Sequence, residues 1–100
     1  MKLIMLALLF IFVPGAHGDV LKENGYACVT EELLNELTMS AVNEDNAGYL
    51  YLLSNGCIIA KQDFPVSILH RSFSGLVKIR AYAGDNAFVL WTYKEDINEN

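Results

Sequence analysis

LVKIRAYAGDNAFVLWT, residues Leu76–Thr92, reads as two strands folded over a tight turn. In the first arm Val77, Ile79 and Ala81 alternate with Lys78, Arg80 and Tyr82, so the apolar set faces inward and the other outward. AGDN (83–86) carries the turn residues. The second arm, AFVLWT (87–92), is apolar on both sides. A hairpin with only one buried face would leave half of that arm exposed, so something must cover it.

Working outward, CIIA (57–60) is a short strand and VSILHR (66–71) alternates Val66, Ile68 and His70 against Ser67, Leu69 and Arg71. SFSG (72–75) turns the chain between strands. YKEDINEN (93–100) closes the chain, with Thr92 placed to cap a short helical turn ending near Ile97. Short strands without long crossovers cannot pair in parallel, so they form an antiparallel meander. In so few residues the sheet must curl into a small barrel to enclose a core. One side of AFVLWT then faces the interior, and the other needs helices.

Those helices lie upstream. Thr30 caps EELLNELTMSAV, whose first turn places Glu31 and Glu32 at the positive end of the helix dipole. Leu33, Leu34, Leu37 and Ala41 recur at helical spacing, and the stripe Leu33, Leu37 and Ala41 is the expected cover. NEDN (43–46) interrupts, and a second helix runs from about Asp45 to Ser54 with Ala47, Leu50 and Leu53 on one face. Asn55-Gly56 stops it. DVLKENGYA (19–27) is polar, turn-rich and reads as a loose lead-in. The expected fold class is α+β: two N-terminal helices (30–54) packed on a small antiparallel β-barrel (57–97), in the order α-α-β-β-β-β.

Residues 1–18, MKLIMLALLFIFVPGAHG, have one positive charge at Lys2 and an apolar run from Leu3 to Val13. Pro14-Gly15 breaks that run, and Ala16-His17-Gly18 sets small residues at a cleavage site. This is the pattern of a secretory signal peptide cut after Gly18, and the run is too short to span a bilayer. No Cys follows it to carry a lipid anchor, so no membrane anchor is expected after cleavage. Removal of 18 residues leaves 82 of the 100, Asp19–Asn100, which suffice for one domain. Loss of Lys2 takes the formal net charge from −5 to −6, which repels nucleic acid and anionic lipid and suits a basic partner or plain solubility.

Cys28 and Cys57 are the two cysteines of a chain bound for an oxidising compartment, so a disulfide between them is expected. A redox-active pair would show C-x-x-C spacing, which is absent. With Cys28 at the first helix start and Cys57 opening the first strand, the bond is expected to pin helix to sheet.

The segments VSIL (66–69), SGLVKIR (74–80), AGDN (83–86) and LWTYKEDI (90–97) together resemble a bacterial SH3-like domain. The resemblance covers about half of the mature chain, and a Cys-bearing helical part ahead of such a barrel resembles small exported bacterial proteins. It implies an SH3-like barrel and a binding role, and it brings no activity. Two positions depart from the family pattern: Leu76 replaces the aromatic after the turn glycine, and Leu90 replaces the glycine before Trp91. Both weaken a peptide or glycan groove of the family's kind.

No catalytic set is legible. The mature chain has one histidine, His70, and a Ser/His/Asp or Cys/His arrangement would need it beside a nucleophile. No His/Cys/carboxylate group has zinc-ligand spacing. A calcium loop opening at NEDNAG (43–48) would have Ala47 where an oxygen ligand is needed and Ser54 where the bidentate Glu belongs, so the segment reads as an interhelical turn with capping residues. The catalytic, cofactor and metal expectations are therefore all "none". Lys78, Arg80 and Tyr82 form the single basic–aromatic cluster and, with Trp91, are the candidate ligand contacts. Trp91 is also a candidate for helix packing. The function expected is a non-enzymatic binding or adaptor module, secreted or periplasmic, for a protein or cell-wall component of the bacterial envelope. The alternative is an inhibitor or immunity protein against a secreted cell-wall hydrolase.

Overall fold

A computed structural model describes residues 18–99; residues 1–17 of the expected signal peptide lie outside the described residues. The elements run β1 (Asp19–Leu21), β2 (Tyr26–Cys28), α1 (Glu31–Val42), α2 (Asn46–Leu53), β3 (Cys57–Ile59), β4 (Phe64–Arg71), β5 (Leu76–Ala83), β6 (Asn86–Tyr93), a 3₁₀ turn (Lys94–Asp96) and β7 (Ile97–Asn98). The fold is α+β, with one antiparallel sheet of order β3-β2-β6-β5-β4-β1-β7.

The helices do not precede the sheet. DVLKENGYA, expected to be loose, holds two strands, and β2 lies inside the sheet between β3 and β6. This segment curls the sheet. β1 and β2 are joined by the four residues Lys22–Gly25, yet β6, β5 and β4 stand between them. In a flat sheet they would be about 19 Å apart, at roughly 4.8 Å per strand. The Gly25 N–H donates to the Lys22 carbonyl at 2.9 Å, closing a turn whose ends lie within about 7 Å. The sheet must therefore bend into a half-barrel until β1 and β2 meet. Backbone bonds from Asn24 to Ala60, from Ala60 to Gly25 and from Lys22 to Asp96, at 2.7–2.9 Å, staple that corner. Gly25 is buried there, and a Cβ on it would stand 2.9 Å from the Lys22 oxygen.

The half-barrel interior holds Leu21, Ala27, Val66, Val77, Ile79, Ala81, Leu90 and Ile97. The β5 alternation is as its sequence predicts. Thr92 does not cap a helical turn: it is fully buried, and its hydroxyl donates to the Tyr26 carbonyl. Tyr93 precedes the 3₁₀ turn instead.

A second apolar cluster joins the helices to the outer side of the sheet: Leu34, Leu37 and Leu52 pack with Cys28, Cys57, Trp91 and Tyr93. The Thr30 hydroxyl accepts the Leu33 N–H and the Asp45 carboxylate accepts the Gly48 N–H, so both caps are as read. The buried faces differ from the expected ones. In α1 Leu34 and Leu37 are buried while Ala41 is exposed; in α2 Leu52 is buried while Ala47 and Leu50 are exposed. Short helices with apolar residues on several sides leave docking to choose the face.

The Cys28–Cys57 disulfide is present, but it does not tie helix to strand. Cys28 ends β2 and Cys57 begins β3, directly opposite it in the ladder, so the bond joins neighbouring strands beneath the helix pair.

Tyrosine hydroxyls complete the helix–sheet joint. Thr38 Oγ1 and the Tyr93 hydroxyl lie 2.6 Å apart, and the Tyr49 and Tyr26 hydroxyls are hydrogen-bonded to each other at 3.2 Å, their rings edge to face. The Tyr49 bond, followed by burial, pushes the Tyr26 hydroxyl up to about 12. The folded chain keeps a proton that an unfolded tyrosine releases near pH ~10. The resulting stabilisation is complete below about pH 10 and is lost as pH rises towards about 12. Tyr26→Phe is expected to flatten this alkaline decline of the urea midpoint; an unchanged slope would refute the coupling.

Candidate functional site

β5 and β6 bring all four candidate ligand contacts to one side of the sheet. Lys78 pairs across the strands with Trp91, and Arg80 with Val89, while Tyr82 follows on the same side. His70 of β4 lies opposite Lys78 in the same row. The Lys78 ammonium sits 5.9 Å from the centre of the Trp91 ring, a cation–π contact. The Tyr82 hydroxyl and Ser67 Oγ are 2.8 Å apart; that bond, with Arg80 beside it, lowers the Tyr82 hydroxyl below its ordinary range.

Cover over this face is graded. Near α1, Leu76, Trp91 and Tyr93 pack into the helix cluster. Further along, Arg80, Tyr82 and Val89 are exposed. Trp91 is thus both helix-packing residue and partner of Lys78. The expectation that helices cover the whole outer side of AFVLWT fails at Val89, which is 43% exposed, because the helices dock over the Leu76, Trp91 and Tyr93 end of the hairpin.

The other side of AFVLWT is open at one end. Phe88 shares the concave side with Leu90, yet it is 51% exposed. There it meets Val29 and Ile58, 51% and 41% exposed, around a groove of about 470 Å³. Phe64, Ala81, Ala83 and Leu90 form its floor and walls, and no charged side chain lines it. β3 borders the groove as an edge strand that pairs only with β2. Sequence reasoning missed this site. The available signal was the alternation itself, which places Phe88 inward beside Leu90 with no residue assigned to cover it.

A third concave region, about 410 Å³, lies between α1 and α2 and is lined by Glu36, Met39, Asp45 and Tyr51 among others. Elsewhere, burial pushes the Asp96 carboxyl up while the Tyr26 N–H it accepts pulls it back. On the surface, Arg71 and Glu99 form an ion pair. Among the described residues no group of three or more His, Cys, Asp or Glu is placed to hold a metal, and no helix is long and apolar enough to cross a membrane.

These features define a disulfide-bonded α+β half-barrel with an apolar mouth and a basic–aromatic outer face. No protein family, curated protein or solved structure matches the chain.

Proposed function

We propose that this chain is a non-enzymatic binding module of the bacterial cell envelope, exported and cleaved after Gly18, with an SH3-like barrel as its scaffold. The observation that carries the reading is the uncovered groove at the half-barrel mouth, where Val29, Ile58 and Phe88 converge beside the edge strand. Contiguous exposed apolar surface of this kind marks interaction sites, and barrel mouths are common places for them. The occupant is an extended apolar segment of a partner protein, its side chains in the groove and its backbone along β3. The disulfide is consistent with an oxidising compartment.

Selection from a random peptide library on the disulfide-bonded protein is expected to enrich peptides with large apolar side chains at alternate positions. Phe88→Asp should abolish their binding, whereas Lys78→Glu should not change it. Equal enrichment on the Phe88→Asp protein would refute the groove.

The acidic surplus of the helix pair favours the second reading, an inhibitor of a basic secreted cell-wall hydrolase. Residues 29–60 carry Glu31, Glu32, Glu36, Glu44 and Asp45 and no Lys or Arg.

A further inference from the structure

Seven of the eleven large apolar side chains exposed among the described residues fall into three patches; Val42, Leu50, Leu69 and Phe73 lie outside them. One patch is the mouth groove. The other two carry opposite charge. On the outer face of β5 and β6, Lys78 and Arg80 flank exposed Tyr82 and Val89. In the cleft between α1 and α2, Glu36 and Asp45 flank exposed Met39 and Tyr51. Arg71–Glu99 is an ion pair that involves none of Lys78, Arg80, Glu36 and Asp45, so neither set of charges is neutralised by it.

We propose that a second copy of this chain docks here, the β5–β6 face of one copy against the α1–α2 cleft of the next. Each side offers what a protein interface uses: aromatic and apolar side chains with charges of matching sign around them. Arg80 and Lys78 meet Glu36 and Asp45, while Tyr82 and Val89 meet Met39 and Tyr51. The two surfaces are different, so the contact is heterologous, and association continues past the dimer unless it closes into a ring. At about 0.1 M salt the Debye length is about 10 Å, which damps the repulsion between two chains of net charge −6 and leaves contact pairs effective; at about 1 M it is about 3 Å and these weaken too. The proposal is independent of the mouth groove, so Phe88→Asp leaves association intact.

Sedimentation equilibrium of the exported, disulfide-bonded protein tests it. The average mass is expected to rise with concentration at about 0.1 M salt and to fall back to the monomer at about 1 M. The pair Lys78→Glu with Arg80→Glu, and separately Glu36→Lys with Asn35→Lys, Asn35 being an exposed residue of the same cleft lining, should each be monomeric alone; mixed together they should associate again. Near-UV circular dichroism confirms that each variant is folded, and Arg80→Gln replaces the first pair if it is not. A monomeric wild-type protein at every concentration would overturn the proposal and leave the β5–β6 face to an acidic partner of another kind. Association that neither charge reversal weakens would overturn it equally.

Discussion

Reducing the Cys28–Cys57 bond is expected to lower the unfolding free energy by about 3.5 kcal/mol, the chain-entropy value for a loop of 29 residues. A domain of 82 residues has roughly 4–12 kcal/mol in all, so this one bond is a large share. The bond acts mainly on the unfolded chain. Both sulfurs are buried beneath α1 and α2, which fill the space whether or not the bond exists. Cys28→Ala with Cys57→Ala should therefore lower the urea midpoint and retain the β-rich far-UV spectrum. Intact mass after alkylation of the native protein should show no free thiol. A midpoint unchanged by reductant would refute the stabilising role.

Leu37→Ala is expected to cost about 2–5 kcal/mol, the range for deleting a buried leucine side chain. Leu37 is 0% exposed and packs in the cluster that joins the helices to Cys28, Cys57 and Trp91. Leu50, one helix away and 63% exposed, is the control: Leu50→Ala should stay within about 0.5 kcal/mol. Leu37 and the disulfide share a cluster, so their effects should not add. The departure from additivity in the reduced Leu37→Ala protein measures how far the bond positions the helix floor. A silent Leu37→Ala would mean that the helices are not docked through this face.

Local chemistry was legible in the sequence. Thr30 and Asp45 announce helix starts because a side-chain oxygen beside unsatisfied N–H groups acts within three residues. The strand alternation of Val77, Ile79 and Ala81 is similarly local, since the pleat turns every second side chain the same way. The disulfide followed from there being two cysteines and one pairing.

The short strands of the lead-in, β1 and β2, were not legible, although β3 was. Tyr26–Cys28 is too short to display a period, and its place in the sheet comes from backbone bonds to β3 and β6, which leave no mark on side-chain pattern. The candidate site divides in the same way. Lys78, Arg80, Tyr82 and Trp91 are near neighbours on two strands of one hairpin, so the register brings them together. The mouth groove draws Val29 from the end of β2, Ile58 from β3 and Phe88 from β6, up to 59 positions apart between Val29 and Phe88.

By itself, the sequence determined the helix caps, the hairpin and its inward face, the cysteine pair and the acidic character of residues 29–60. Each depends on contacts within a few residues or on composition. Only the tertiary structure decided that β1 and β2 close a curled sheet, which helix faces are buried, and that Phe88 and Val89 remain uncovered. Those outcomes depend on how far the turn at Lys22–Gly25 can reach and on where the two helices dock. Such distances are set only once every strand has its partner.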